Sequence, residues 1–177
     1  MAAIWLAVSF DYYLINFLAS HFEEAYLVVI TSQVSEISAK IAGGMLYRLI
    51  GTKRSLIYCL GMSSAAGLAI IFYGLAHQHS LAFFLMILVA KFGVASSFCV
   101  VFIAHASIFP TMFAATSFGF CNFMARATSA VAPLLAEVSQ PVPMICFTAA
   151  AAIACVLSFL IQVKDDNRDK ENCEEVK

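Results

Sequence analysis

Six apolar segments, each close to the length that crosses a membrane as a helix, dominate this sequence. A helix rises about 1.5 Å per residue, so about 20 apolar residues span the roughly 30 Å hydrocarbon core of a bilayer. The segments are Ala3–Ser20, Ala25–Leu46, Ser55–Ala76, Ala82–Ile103, Met112–Leu135 and Pro143–Val163. Because lipid offers the backbone no hydrogen-bond partner, each segment is expected to be helical. We therefore predict an all-α membrane protein, a six-transmembrane-helix bundle over residues 1–163.

The composition supports this class and argues against others. Hydrophobic residues make up 62% of the chain and charged residues only 12%, whereas soluble domains carry about 25% charged residues. The basic residues form no stripe or run, so no nucleic-acid partner is expected. No common catalytic or cofactor motif occurs, and the four histidines lack zinc-ligand spacing. The sequence predicts neither an enzyme, nor a cofactor, nor a metal site.

Loop charges predict the orientation. The second connection carries Arg48, Lys53 and Arg54, and the charged tail, residues 164–177, carries four further Lys and Arg residues. The first, third and fifth connections contain none. Because cytoplasmic loops are enriched in Lys and Arg, both termini are expected in the cytoplasm. The tail is predicted to be disordered or loosely helical.

A single arginine, Arg126, lies within the fifth apolar segment. An arginine at the bilayer centre costs at least about 2.5–3.5 kcal/mol on insertion scales, and such residues usually face a bundle interior or a wet cavity. No acidic residue lies one turn away on its own helix. Its expected partner is an anion in a cavity, a carboxylate on another helix, or backbone carbonyls.

The first segment combines one acid, Asp11, with the aromatic residues Trp5, Tyr12 and Tyr13. Aromatic faces in a cavity can hold organic ions by stacking or by cation–π contacts. The alternative is an aromatic stripe that faces lipid or a neighbouring helix. Trp5 also lies near a membrane interface, where tryptophan is common.

Three further charged residues lie within segments. Glu36 and Lys40 have i, i+4 spacing with the acid first, the favourable order for an ion pair on one helix. They are therefore expected either to neutralise each other or to leave Lys40 free to bind an anion in a central cavity. Lys91 is expected to bridge to an acid on another helix, or to extend toward the interface.

Several motifs resemble the organic ion transporters of the major facilitator superfamily, in their C-terminal six helices. Residues 5–13, WLAVSFDYY, are similar to W-F-x-x-S-F-x-Y-Y of the seventh helix of that family. Residues 36–43, EISAKIAG, resemble D-[IL]-P-A-K-[LM]-x-G of its anion-transporting branch. Residues 108–111, IFPT, match the end of its tenth helix, and residues 119–133 resemble G-x-x-S-x-x-A-R-x-G-x-x-x-P of its eleventh.

The resemblance implies roles for individual residues. Tyr12, Tyr13 and Trp5 would line a substrate cavity. Lys40 and Arg126 match the basic positions that hold the carboxylate or sulfonate of organic anions. The implied function is secondary active transport of small organic ions, with anions favoured, by alternating access across the plasma membrane. Lys53 and Arg54 match the basic end of a loop motif that belongs to a cytoplasmic gating network, and Glu36, Asp11, Lys91 and Arg48 are further gating or ion-pair candidates.

The chain departs from this family at several gating positions and in length. Ser107, Ala114 and Ala115 replace charged or polar residues, and Arg48 occupies the position of a loop aspartate. Such transporters hold their substrate between two six-helix halves. This chain matches the second half, so the expected partner is the missing N-terminal half or an equivalent chain. The alternative is a transport-incompetent structural or regulatory subunit, or a truncated gene product.

Overall fold

The described part of the chain consists almost entirely of helices. This structure, a computed structural model, describes residues 1–19, 25–74, 81–108, 111–138 and 141–160. Its helices are α1 (Ala2–Ala19), α2 (Ala25–Ala69), α3 (Leu81–Ile108), α4 (Thr111–Ser129), α5 (Ala132–Ala136) and α6 (Val142–Leu160), with a π-helical segment at Ile70–Gly74. The predicted charged tail and the first, third, fourth and fifth connections, in whole or in part, lie outside the described residues.

Helix α2 contains the second predicted connection, Tyr47–Arg54. The structure is helical on both sides of this connection and breaks only at Gly51, with φ 79° and ψ 171°. That backbone region is essentially restricted to glycine, because a side chain would clash there. One residue therefore changes the direction of the chain, where the sequence suggested a loop of eight residues.

A proline divides the fifth predicted segment. Helix α4 ends at Ser129, and α5 begins at Ala132 with Pro133 in its first turn. Proline has no N–H, and its ring clashes with the carbonyl four residues earlier, which belongs to Ser129. Proline is tolerated in the first turn of a helix, so the chain restarts as α5 after a short turn.

Three helical stretches among the described residues are long and apolar enough to cross a membrane. They are Ile30–Tyr73, Phe83–Ser107 and Val142–Leu160, and the apolar helix Ala2–Leu18 is shorter. The all-helical class predicted from the sequence is therefore confirmed, with membrane-spanning candidates identified by length and hydropathy.

Helix α1 lies at the centre of the packing, against α3, α4, α5 and α6, while α2 packs mainly on α3 and α6. Its buried residues contribute to two apolar clusters. One cluster contains Ile4, Trp5 and Val8, together with residues of α2, α3, α4 and α6. The other contains Leu14, Ile15 and Leu18, together with Ile70 and residues of α2, α3, α5 and α6. The side chains of α1 are thus fixed by contacts on several sides.

Close packing of α2 on α3 leads to a stability prediction at Gly43. A Cβ atom there would lie 2.8 Å from the backbone carbonyl oxygen of Ser96, whose hydroxyl donates to the carbonyl of Ala39 at 2.9 Å. We expect Gly43→Ala to destabilise the fold by about 1–3 kcal/mol, the typical range for overpacking. The measurement is thermal unfolding in detergent micelles.

The neighbouring glycine is the matched control. A Cβ atom at Gly44 would meet nothing within 4 Å, so Gly44→Ala is expected to be neutral or slightly stabilising. Equal unfolding temperatures for the two variants would contradict the close approach of α2 and α3.

Candidate functional site

The carboxylate of Glu36 is the centre of a polar cluster formed by α1, α2 and α3. The hydroxyl of Tyr12 donates to Glu36 Oε1 at 2.5 Å, and Lys40 Nζ lies 2.8 Å from the same oxygen. The other oxygen, Oε2, lies 3.8 Å from Lys91 Nζ. Residues from three helices therefore converge on one buried carboxylate.

Lys91 lies inside the bundle and is only 1% exposed. Its ammonium donates to Asn16 Oδ1 at 2.6 Å and to the hydroxyl of Ser32, and it faces Glu36. Asn16 in turn donates to the backbone carbonyl of Tyr12 at 2.7 Å. Of the two alternatives considered for Lys91, the structure contains the bridge to an acid on another helix.

Lys40 occupies the exposed edge of this cluster. Its side chain is 51% exposed even though it pairs with Glu36. It also lines a groove of about 420 Å³, together with Arg48 and apolar residues of α2 and α3. The structure thus contains the ion pair with Glu36, and the ammonium of Lys40 is also partly exposed. Binding of an anion by Lys40 stays a prediction.

Arg126 lies on the exposed side of α4 and contacts Tyr13 on α1. Its guanidinium donates to the hydroxyl of Tyr13, and its Cζ atom is 5.4 Å from the centre of that ring. Tyr13 packs edge-on against Tyr12 at 5.5 Å between ring centres. Among the described residues, no carboxylate forms an ion pair with Arg126. Its partner is an aromatic hydroxyl, which the sequence alternatives did not include.

These contacts connect the two exposed cations through two tyrosines. The path runs from Arg126 to Tyr13, to Tyr12, to Glu36 and finally to Lys40. The structure thus brings together four of the five residues that the sequence singled out for substrate binding. We call Arg126, Tyr13, Tyr12, Glu36 and Lys40 together the tyrosine path.

Trp5, the remaining residue that the sequence singled out for substrate binding, packs in the core. It is 1% exposed and contacts Phe102, His105 and Phe118, with ring centres between 4.6 and 5.3 Å apart. In this structure it supports α1 against α3 and α4, and it does not face open space. Asp11 is also buried, and it is not part of the tyrosine path.

The other gating candidates surround the break in α2. Arg48 and Lys53 lie three residues before and two residues after Gly51, and Arg54 is exposed. None of the three forms an ion pair with a described carboxylate. They are placed together at one bend, where the sequence predicted a basic cytoplasmic connection.

The charge balance of the site favours an anion. Lys40, Lys91 and Arg126 carry three positive charges, and Glu36 supplies the single negative charge among their contacts. Guanidinium and ammonium groups bind carboxylates and sulfonates through charge-assisted hydrogen bonds. The aromatic faces beside Arg126 suit a planar organic group. Chemically, the arrangement can hold a small organic anion.

Sequence reasoning missed three contributors. Asn16 and Ser32 hold the ammonium of Lys91, and Phe98 stacks on Tyr12 at 4.9 Å between ring centres, with 20° between the planes. Asn16 and Ser32 each lie four residues from a residue of the tyrosine path, on the same helix. Helical spacing between polar residues was the signal that could have identified them. No local signal indicates Phe98, because its contact joins two helices.

No metal centre is found in the described part of the chain, where no group of three or more His, Cys, Asp or Glu side chains could hold an ion.

The chain is similar to known transport proteins. It is 28% identical over 183 residues to solute carrier family 22 member 6 of Bos taurus, a match that covers 97% of this chain and 33% of that protein. It is 26% identical over 166 residues to the protein of the same name in Mus musculus, covering 91% of this chain and 30% of that protein. No protein-family model matches the chain.

This chain therefore spans about a third of the length of the curated relatives that it matches. Those relatives are solute carriers, which are transporters and not enzymes. Together with the apolar helices, the similarity supports a membrane protein related to this transporter family.

Proposed function

We propose that this chain is the C-terminal six-helix half of a secondary active transporter that moves small organic anions by alternating access. The tyrosine path carries the proposal, because it presents two exposed cations, Lys40 and Arg126, beside aromatic rings on a membrane protein. The similarity to solute carriers supports the same class of function.

The break in α2 supports six membrane crossings. The stretch Ile30–Tyr73 has 44 residues, about 66 Å as a straight helix, which is twice the hydrocarbon thickness. Division at Gly51 leaves two pieces of about one crossing each. With α1, α3, α4 plus α5, and α6, the chain would then cross the membrane six times. Both termini would lie in the cytoplasm, with the basic residues around Gly51 on the same side.

Each residue of the tyrosine path has a proposed role. Arg126 binds the carboxylate or sulfonate of the solute, and Lys40 supplies the second positive charge. Tyr13 positions the guanidinium, and Tyr12 holds Glu36. A solute that enters would replace its hydration water by contacts with these groups. Lys40 would then interact with both Glu36 and the solute.

The proposed partner is a second six-helix half, on the same or another polypeptide. The chain spans about a third of its relatives' length, and substrates of such transporters are held between two halves. We propose the plasma membrane as the location.

The test is solute flux into liposomes that contain the chain with and without a six-helix partner half. Radiolabelled benzenesulfonate is a suitable probe, because its charge does not change with pH. We expect saturable uptake with the partner and only leak without it. The transporter proposal fails if uptake with the partner equals that of empty liposomes.

A second candidate is a transport-incompetent structural or regulatory subunit. The uncharged residues Ser107, Ala114 and Ala115 favour it, because they remove groups expected in the gating network. A chain that binds the partner half, as measured by co-purification, but gives no saturable flux would establish this second function.

A further inference from the structure

Asp11 is a buried acid that the tyrosine path does not use. It is 0% exposed, and its neighbours on the same face of α1, Val8 and Ile15, are also fully buried. Those neighbours belong to the two apolar clusters on either side, so Asp11 lies between them. Neither carboxyl oxygen has a hydrogen-bond partner among the described residues.

Among the described residues, no hydroxyl group donates to Asp11, although Ser55 Oγ is buried without a hydrogen-bond partner. Five other buried hydroxyl groups on the helices around α1 donate to backbone carbonyls at 2.8–3.3 Å, namely those of Ser63, Ser97, Ser129, Thr148 and Ser158. Four of these five bonds are made within the residue's own helix. Hydroxyl donors therefore do not stabilise a charge on Asp11 in this arrangement.

In the described part of the chain, no positively charged side chain forms an ion pair with Asp11 either. On α3, Lys91 is held by Glu36, Asn16 and Ser32. His105 packs on Trp5, which precedes Asp11 by six residues, about 9 Å along the axis of α1. On α4, Arg126 contacts Tyr13. Helices α5 and α6 contain no Asp, Glu, Lys, Arg or His. The remaining titratable groups on the helices packed around α1 form no hydrogen bond or ion pair with Asp11. These groups are Lys40, Tyr47, Arg48, Lys53, Arg54, Tyr58, Cys59, Cys99, Cys121, Cys146 and Cys155.

An ionised carboxylate without partners in such a place is strongly unfavourable, whereas the neutral acid is tolerated. Ionisable groups inside membrane proteins often mark proton relays. We infer that Asp11 is a proton-binding site, linked through α1 to the tyrosine path. The proton occupies one carboxyl oxygen in this arrangement. When the helices around α1 part and admit water, the O–H bond breaks, the proton passes to water, and the carboxylate becomes hydrated.

The link to the solute site is covalent and short. Tyr12 and Tyr13 directly follow Asp11 on α1, and they hold Glu36 and Arg126. A tilt or rotation of α1 that rearranges the tyrosines for solute passage also changes the surroundings of Asp11. This link rests on the proposed transport function, and it makes solute movement proton-coupled.

Infrared spectroscopy of the reconstituted full chain tests the proton site without any solute. We expect the C=O stretching band of a protonated carboxylic acid at neutral pH, and its complete loss in Asp11→Asn. Glu137→Gln is the control, because that residue is exposed at the end of α5, and the variant is expected to keep the band. Absence of the band in the parent chain, or its persistence in Asp11→Asn, would overturn the proton site.

Uptake of benzenesulfonate under a pH gradient tests the coupling. In the parent chain with its partner half, the gradient is expected to change the uptake rate. In Asp11→Asn the uptake rate is expected to be the same with and without the gradient, because the amide binds no proton. An equal response in both proteins overturns the coupling. If the parent shows no uptake at any pH, the transport function fails together with the coupling, and the infrared band alone decides whether Asp11 binds a proton.

Discussion

Replacement of Arg126 by alanine is expected to reduce organic anion uptake strongly while the protein still reaches the membrane surface. The guanidinium is exposed, and its described contacts are the ring and the hydroxyl of Tyr13. Hydrogen bonds to charged groups contribute about 1.5–3 kcal/mol. Because every 1.4 kcal/mol is a factor of ten, the expected loss is about 10- to 100-fold at low solute concentration.

The controls separate binding from folding. Thr128→Ala changes another exposed residue of α4, whose hydroxyl donates only to the backbone carbonyl of Met124 at 3.0 Å, and it is expected to leave uptake unchanged. Arg126→Lys keeps the charge but loses the planar fork, so an intermediate rate is expected. Surface biotinylation measures the amount of protein that reaches the membrane. Equal uptake by Arg126→Ala and the parent, at equal surface amounts, would remove Arg126 from the site.

The second large effect concerns stability and the buried Lys91. Lys91→Met is expected to destabilise the bundle by about 1–3 kcal/mol, the cost of leaving a buried polar group without its hydrogen-bond partner. The change leaves Asn16 Oδ1 without its donor and takes one of two cations from Glu36. Denaturant-induced unfolding in mixed micelles, followed by tryptophan fluorescence of Trp5, gives the free energy of unfolding.

Two comparisons make this result specific. Lys40→Met removes the other lysine beside Glu36, but its exposed side chain predicts a loss of only about 0–1 kcal/mol. The double variant Glu36→Gln with Lys91→Met removes both charges, so its loss should be smaller than the sum of the two single losses. Strictly additive losses would show that the 3.8 Å contact between the two residues carries no coupling.

The polar cluster shows why local patterns reach only part of a site. The pair of Glu36 and Lys40 follows from i, i+4 spacing on one helix, and the structure contains it. The contact of Lys91 with Glu36 joins α2 to α3, and that of Arg126 with Tyr13 joins residues 113 positions apart. Such contacts depend on how helices rotate and cross, which no short stretch of sequence encodes.

The burial of Trp5 and Asp11 could not be predicted from local sequence either. Both belong to the stretch that resembles a cavity-lining helix, yet both are buried in this structure. The apolar residues of α1 occur on all sides, so its periodicity does not mark a single inward face. Only the positions of α3, α4, α5 and α6 around α1 decide that Tyr12 and Tyr13 reach the polar path while Asp11 points into the core.

The amino-acid order by itself determined that this chain forms apolar helices, and it marked the few charges that such helices carry, because hydrophobicity and helical spacing act over neighbouring residues. Tertiary structure alone decided that Gly51 bends one long helix, that Lys91 meets Glu36, and that Arg126 meets an aromatic hydroxyl. The physical reason is that a charge within an apolar bundle takes its partner from whichever helix packs beside it, and packing is a property of the assembled helices.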